Sequence, residues 1–253
     1  MNDGHKIWRK PLSLLLPLFC SLLVLLSGCV RYEVGVNFAD QQHGEIVQYI
    51  KLGQQLTTLS QAETQEWLAS IEKRAAQLSG HAKRISPQEI AVTIPFNNGK
   101  DLADKFNKFF NPTPKKQVKS KAQKEKALDL VQLNSQMSIN QSNLLLVERN
   151  RISLEVDLRA LGVLSNQGNI IVSPGSLIDL EFALNSPWGA RSINDDKTLT
   201  PEINQGGRQL IWHLQPGQIN QIEAAFWTPS WLGLGTLGII AFSGLGFFLK
   251  YRL

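Results

Sequence analysis

Two stretches without charge, residues 11–28 and 230–249, bracket the chain and constrain it more than anything between them. Ser230–Leu249 runs uncharged for twenty residues. That is the length an α-helix needs to cross a hydrocarbon core of about 30 Å. Trp227 and Trp231 stand at one boundary and Tyr251 at the other, as interfacial aromatics do. Lys250 and Arg252 follow at once, and cations beside a span mark its cytoplasmic side. The expectation is one transmembrane helix over 230–249 and a short cytoplasmic tail at 250–253.

The first stretch reads as a targeting signal. Lys6, Arg9 and Lys10 precede a Leu-rich run, Leu12 to Leu26, broken by Pro17. It ends in Leu26-Ser27-Gly28-Cys29, which resembles the lipobox of bacterial lipoproteins. That resemblance implies a signal peptide over 1–28, cut before Cys29, and acylation of Cys29. The alternative is an uncleaved signal anchor. Cys20, the only other cysteine, leaves with the signal. No disulfide and no Cys-based metal site then remain.

Cations at both ends place residues 30–229 on the far side of the membrane. Strand-like sequence begins at Val30, and strand-like Ile219–Trp227 meets the span through Thr228-Pro229 alone. Neither end carries a flexible linker. A spanning helix is already an effectively irreversible anchor. Double tethering therefore serves position rather than retention, and the domain is expected to sit against the bilayer.

Within the domain, period-two alternation dominates. Val30, Tyr32, Val34, Val36 and Phe38 alternate with polar residues, and Ile46–Leu52 returns across a Gln/His/Gly turn. Ser60 and Glu63 have capping-box spacing before Trp67, Leu68, Ile71, Ala75 and Leu78, which share a helix face. Ile90–Phe96 alternates again. A second helix carries Leu102, Phe106, Phe109 and Phe110 and stops at Asn111-Pro112. Residues 29–111 thus predict an α+β half, with helices on one face of an antiparallel sheet. Residues 135–229 predict a β-rich half, built on the alternations Ile152–Leu158, Ile178–Leu184, Leu210–Leu214 and Ile222–Phe226. Between them, 112–134 is an insert whose first part, 112–127, holds Lys115, Lys116, Lys119, Lys121, Lys124 and Lys126 against one acid, Glu125. A solvated loop is the plain expectation, and an arm touching acidic headgroups or an acidic partner is the sharper one. Nucleic acid is a poor partner, because the segment has no interleaved aromatics or arginines to stack on bases.

Gly28-Cys29-Val30-Arg31-Tyr32, Gly44-Glu45-Ile46, Pro174-Gly175, Leu210-Ile211-Trp212-His213-Leu214 and Ile222-Glu223-Ala224 precede the terminal span. Together they resemble a family of uncharacterised membrane proteins from cyanobacteria and chloroplasts, distantly similar to the LppM-like lipoproteins of actinobacteria. The resemblance implies a surface-exposed α+β domain with a suspected lipid-binding role, in a plasma or thylakoid membrane with the domain periplasmic or lumenal. It supplies no catalytic residue.

Motifs of chemistry are absent from the sequence. The histidines His5, His43, His81 and His213 are dispersed, without H-x-x-x-H or H-E-x-x-H spacing. There is no G-x-S-x-G elbow, P-loop or G-x-G-x-x-G. No catalytic residue, metal or cofactor is expected. The expected function is a non-enzymatic, membrane-tethered lipoprotein that binds, or assists assembly of, a neighbouring membrane complex. The alternative is an apolar-ligand or lipid-binding domain using Trp67, Phe106, Phe109, Phe110 and Trp188, which also form the candidate partner surface. An enzyme with dispersed carboxylates is the weaker third. The formal charge of +5 reflects the signal, the cytoplasmic tail and the lysine insert, not a nucleic-acid surface.

Overall fold

The computed structural model describes residues 30–53, 61–112, 134–161, 178–193 and 195–252. Leu26, Ser27, Gly28 and Cys29 of the lipobox, the Ser60 cap and the lysines of the insert lie outside the described residues.

β1 (Val30–Phe38) turns Tyr32, Val34, Val36 and Phe38 inward, and β2 (Gly44–Leu52) returns with Ile46, Ile50 and Leu52 on the same side. They pair antiparallel along their length, Val30 opposite Leu52 and Phe38 opposite Gly44. Gly44 is needed there, since a Cβ would stand 2.2 Å from the Asn37 carbonyl oxygen. α1 (Gln61–Gln77) buries Trp67, Leu68, Ile71 and Ala75. It ends as Ser79 enters the left-handed region at φ 61° and the Gly80 N–H donates to the Ala75 carbonyl at 2.9 Å.

β3 (His81–Ser86) then pairs with β4 (Glu89–Phe96). β3 is an edge strand whose exposed His81 and Lys83 discourage further pairing. α2 (Gly99–Phe110) starts at a reciprocal cap. The Asn98 side chain accepts from the Asp101 N–H at 2.8 Å, and the Asp101 carboxylate accepts from the Asn97 N–H at 3.0 Å.

Beyond the insert come β5 (Asn134–Asn143), β6 (Val147–Asp157), β7 (Ile178–Asn185), β8 (Ala190–Ser192), β9 (Glu202–Asn204), β10 (Gln209–His213) and β11 (Ile219–Pro229). They divide between two sheets. β7, β10 and β9 extend the N-terminal sheet, in the order β3-β4-β2-β1-β7-β10-β9. The β1–β7 pair is parallel, so that sheet is not wholly antiparallel. The remaining strands form a second, antiparallel sheet in the order β5-β6-β11-β8.

The inner faces meet in one apolar core. Phe38 packs on Phe226 with ring centroids 4.7 Å apart, and Phe106 meets Phe182 edge-on. α2 lies against β5, the free edge of the second sheet. Asn107 and Asn111, one turn apart, reach the β5 backbone at Met137 and Ser135. These amides complete the hydrogen bonding that an edge strand lacks.

The fold is α+β and β-rich, with two α-helices in the domain among the described residues and an apolar C-terminal helix. α3 (Trp231–Arg252) is 22 residues of high mean hydropathy and is long and apolar enough to cross a membrane. None of it is buried, unlike a core helix of the same composition. Only Ser230 separates it from β11.

Candidate functional site

The entry to α3 is more than a chain connection. Ser230 is buried, and its N–H donates to the Leu146 carbonyl at 2.8 Å. Its Oγ accepts from the Gly233 N–H at 3.3 Å and its carbonyl from the Leu234 N–H at 2.9 Å, so it caps the helix. Gly233 lies against the β5–β6 turn, where a Cβ would fall 1.7 Å from the Leu145 carbonyl oxygen. Gly235, Gly238, Gly244 and Gly246, by contrast, would meet nothing within 4 Å. The helix start is therefore seated on the turn that joins β5 to β6.

That turn is anchored from behind. Glu148 is buried, and its carboxylate accepts from Gln41 at 2.7 Å and Gln141 at 2.8 Å. Gln141 also donates to Asn150 at 2.8 Å, and Asn150 donates to Thr228 at 3.3 Å. These contacts tie the β1–β2 turn, β5, β6 and β11 together beneath the helix. A buried charge held by several donors is costly to disturb.

The turn itself, Leu144-Leu145-Leu146-Val147, is exposed, with Leu145 at 81%. Four apolar residues in a row at a tip are out of place in a water-facing protein. Sequence periodicity alone does not single them out. The run between Asn143 and Glu148 was the available signal, and it looks like the start of a buried strand.

Trp227 lies beside this turn on the outer face of β11, opposite Arg149, whose guanidinium stands 5.9 Å from the indole centroid. Trp231 opens α3, and both indoles are exposed. Tyr251, Lys250 and Arg252 close the helix, with Arg252 4.7 Å from the Phe248 ring centroid. Of the five residues expected at membrane interfaces, Trp231 lies at the start of α3, Lys250, Tyr251 and Arg252 at its end, and Trp227 in β11 just before it.

The candidate ligand or partner surface does not come together. Trp67, Phe106, Phe109 and Phe110 are buried, so they present no surface. Their helical period reflects packing against the sheets. Arg74 of α1 stitches the helices, donating to the Phe109 carbonyl at 3.0 Å and standing over its ring. Burial lowers the Arg74 pKa, and the nearby Tyr32 partly offsets this. Burial likewise pushes the Tyr32 phenol well above its ordinary value, which the Arg74 charge and a bond from Gln48 moderate. A void lined by Tyr32, Phe106, Phe110, Ser135 and Phe182 measures about 20 Å³. That is room for about one water, whereas small-molecule sites run to about 300–1,000 Å³. Trp188 stands apart, 39% exposed between β7 and β8.

Asp179, Glu181 and His213 converge on the outer face of the large sheet, with ligand atoms within 4.8 Å of one another. His213 also lies 3.3 Å from Glu202. Glu181 has a raised pKa, chiefly through desolvation and then through the Asp179 and Glu33 charges. Asp179 and His213 are exposed, and the group is a solvated sheet-face cluster.

The fold and junction define a β-rich α+β domain seated on an apolar C-terminal helix. The chain belongs to the family described as Protein of unknown function (DUF3153), which matches residues 36–253. No curated protein matches it. Among solved structures it is similar to the folded domain of LppM from Mycobacterium tuberculosis, determined by NMR. That similarity is 11% identity and a TM-score of 0.41, covering 81% of this chain and 92% of the other.

Proposed function

We propose that this is a non-enzymatic, membrane-tethered lipoprotein whose extracytoplasmic domain is held against the bilayer to bind, or assist the assembly of, a neighbouring membrane complex. α3 is its span, with Lys250 and Arg252 on the cytoplasmic side. The observation that carries this function is the seam at Ser230. A strand passes into an apolar helix through one buried residue, and that residue is bonded to a second turn of the domain. A domain joined in this way keeps a set orientation to its helix, which retention alone does not require. The near-filled void beside α2 favours a protein partner over an apolar ligand at those aromatics.

The proposal includes a second tether, at Cys29. Cys29 is bonded to Val30, and Val30 lies at the far end of β1 from Phe38, which packs on Phe226 near the span. Nine residues of strand extend about 26 Å at 3.3 Å per residue. With Cys29 acylated, β1 runs along the bilayer, and both ends of the domain are held to one surface.

The test is extraction in mild detergent followed by native electrophoresis and mass spectrometry. The expected result is co-migration with a membrane complex. Migration only as a lone chain would contradict the proposal.

A further inference from the structure

We infer that the β5–β6 turn, Leu144 to Val147, is a second membrane-contacting element that dips into the lipid interface beside the span. The inference rests on the proposed span, because the bilayer is located by α3. It goes beyond the proposed function by assigning a lipid-binding surface to a part of the domain that is neither anchor nor partner site.

Four observations bear on it. The turn is continuous with the helix entry, through the Ser230 to Leu146 hydrogen bond and the approach of Gly233 to the Leu145 carbonyl. Its depth is therefore tied to that of the first turn of α3. Its side chains are apolar and exposed, Leu144 at 55% and Leu145 at 81%. Apolar area left in water forfeits the main driving force of folding, whereas lipid recovers it. Leu145 moreover has a φ of 68°, a left-handed conformation that glycine or asparagine adopts more readily than a branched apolar residue. The turn is tight and regular all the same. Leu144 N–H donates to Val147 at 2.8 Å, and the Asn143 side chain accepts from the Leu145 N–H at 2.9 Å. A conformation unfavourable for leucine, with the leucine facing solvent, has no reason in the stability of the domain.

The flanks have the chemistry of an interface. Arg149 and Trp227 sit on neighbouring strands just behind the turn, and Trp231 opens the helix. A cation and two indoles at this level match the headgroup zone, where such side chains collect. The occupant is therefore the bilayer. A protein partner at the turn is the competing outcome of the test.

The test uses the full chain reconstituted in mixed phosphatidylcholine and phosphatidylglycerol vesicles. An environment-sensitive fluorophore is attached at Leu145→Cys or, separately, at Phe242→Cys; in the proposed mature protein Cys20 has left with the signal and the Cys29 sulfur is acylated, so neither competes for the label. Nitroxide lipids, labelled near the headgroup or at mid-chain, report depth. The expected result is a blue-shifted probe at 145, quenched most by the shallow nitroxide, and a probe at 242 quenched most by the deep one. An unquenched probe at 145 with a quenched probe at 242 would overturn the inference while leaving the span intact. That outcome would point to a protein covering the turn. Failure of both probes to be quenched would overturn the span and the inference together. As a second variant, Leu144→Asp with the probe at Val147→Cys should shift emission to the red and reduce shallow quenching. Unchanged emission and quenching there would also overturn the inference.

Discussion

Single residues decide how the sheets close. In the sequence, Asn107 is legible only as a polar position on an amphipathic helix, and Asn111 only as part of its stop. Their work, completing the edge of β5, depends on a contact between segments separated by the lysine insert, and helix period carries no word of that. Asn107→Ala leaves the Met137 N–H and carbonyl without their partner. It should cost about 1–3 kcal/mol, read as a lower denaturant midpoint at unchanged slope.

Glu181 makes a prediction of the opposite sign. Its folded-state pKa is raised, so the folded chain holds that proton more tightly than the unfolded chain does. The contribution to stability is present below the ordinary carboxylate pKa and is lost as pH rises through the folded value. Glu181→Gln should therefore raise the melting temperature at neutral pH and leave it unchanged near about pH 4. Equal shifts at both pH values would show that charge is not the cause.

At the scale of elements, strict alternation made β1, β2, β4, β6, β7, β10 and β11 legible, and helical period did the same for α1 and α2. β3 was not legible, because His81, Lys83 and Arg84 interrupt any apolar pattern. Alternation also states which face is buried but not which strand lies alongside. The parallel pairing of β1 with β7, across the insert, was therefore out of reach. The turn Leu144–Val147 escaped for a related reason, since an apolar run has no direction until its place in the topology is known. Gly233 is one of five glycines in the span, and a lipid-embedded helix tolerates glycine. The structure separates it from the rest, because it alone among the five in the span meets the domain. Gly233→Ala should unseat the helix from the turn at a cost of about 1–3 kcal/mol. Gly238→Ala should be neutral. Hydrogen exchange at the Ser230 and Leu144 amides would rise in the first variant and not in the second.

For the whole molecule, the two uncharged ends predict a tethered protein, and the alternating middle predicts the α+β domain that the structure shows. What they could not show is how the two are joined. The seam at Ser230 converts a tether into a mount, because the helix and the domain share hydrogen bonds as well as a chain. Under the proposed function, that fixed orientation serves to meet a partner beside the domain in the membrane. That is the central claim, and lengthening the seam tests it most directly. A Gly/Ser linker of about twelve residues, flexible enough to free the domain, is inserted between Pro229 and Ser230 of the full chain. The altered chain should stay in the membrane fraction, keep its thermal unfolding transition and lose co-migration with the membrane complex in mild detergent. Undiminished co-migration with the linker in place would contradict the account.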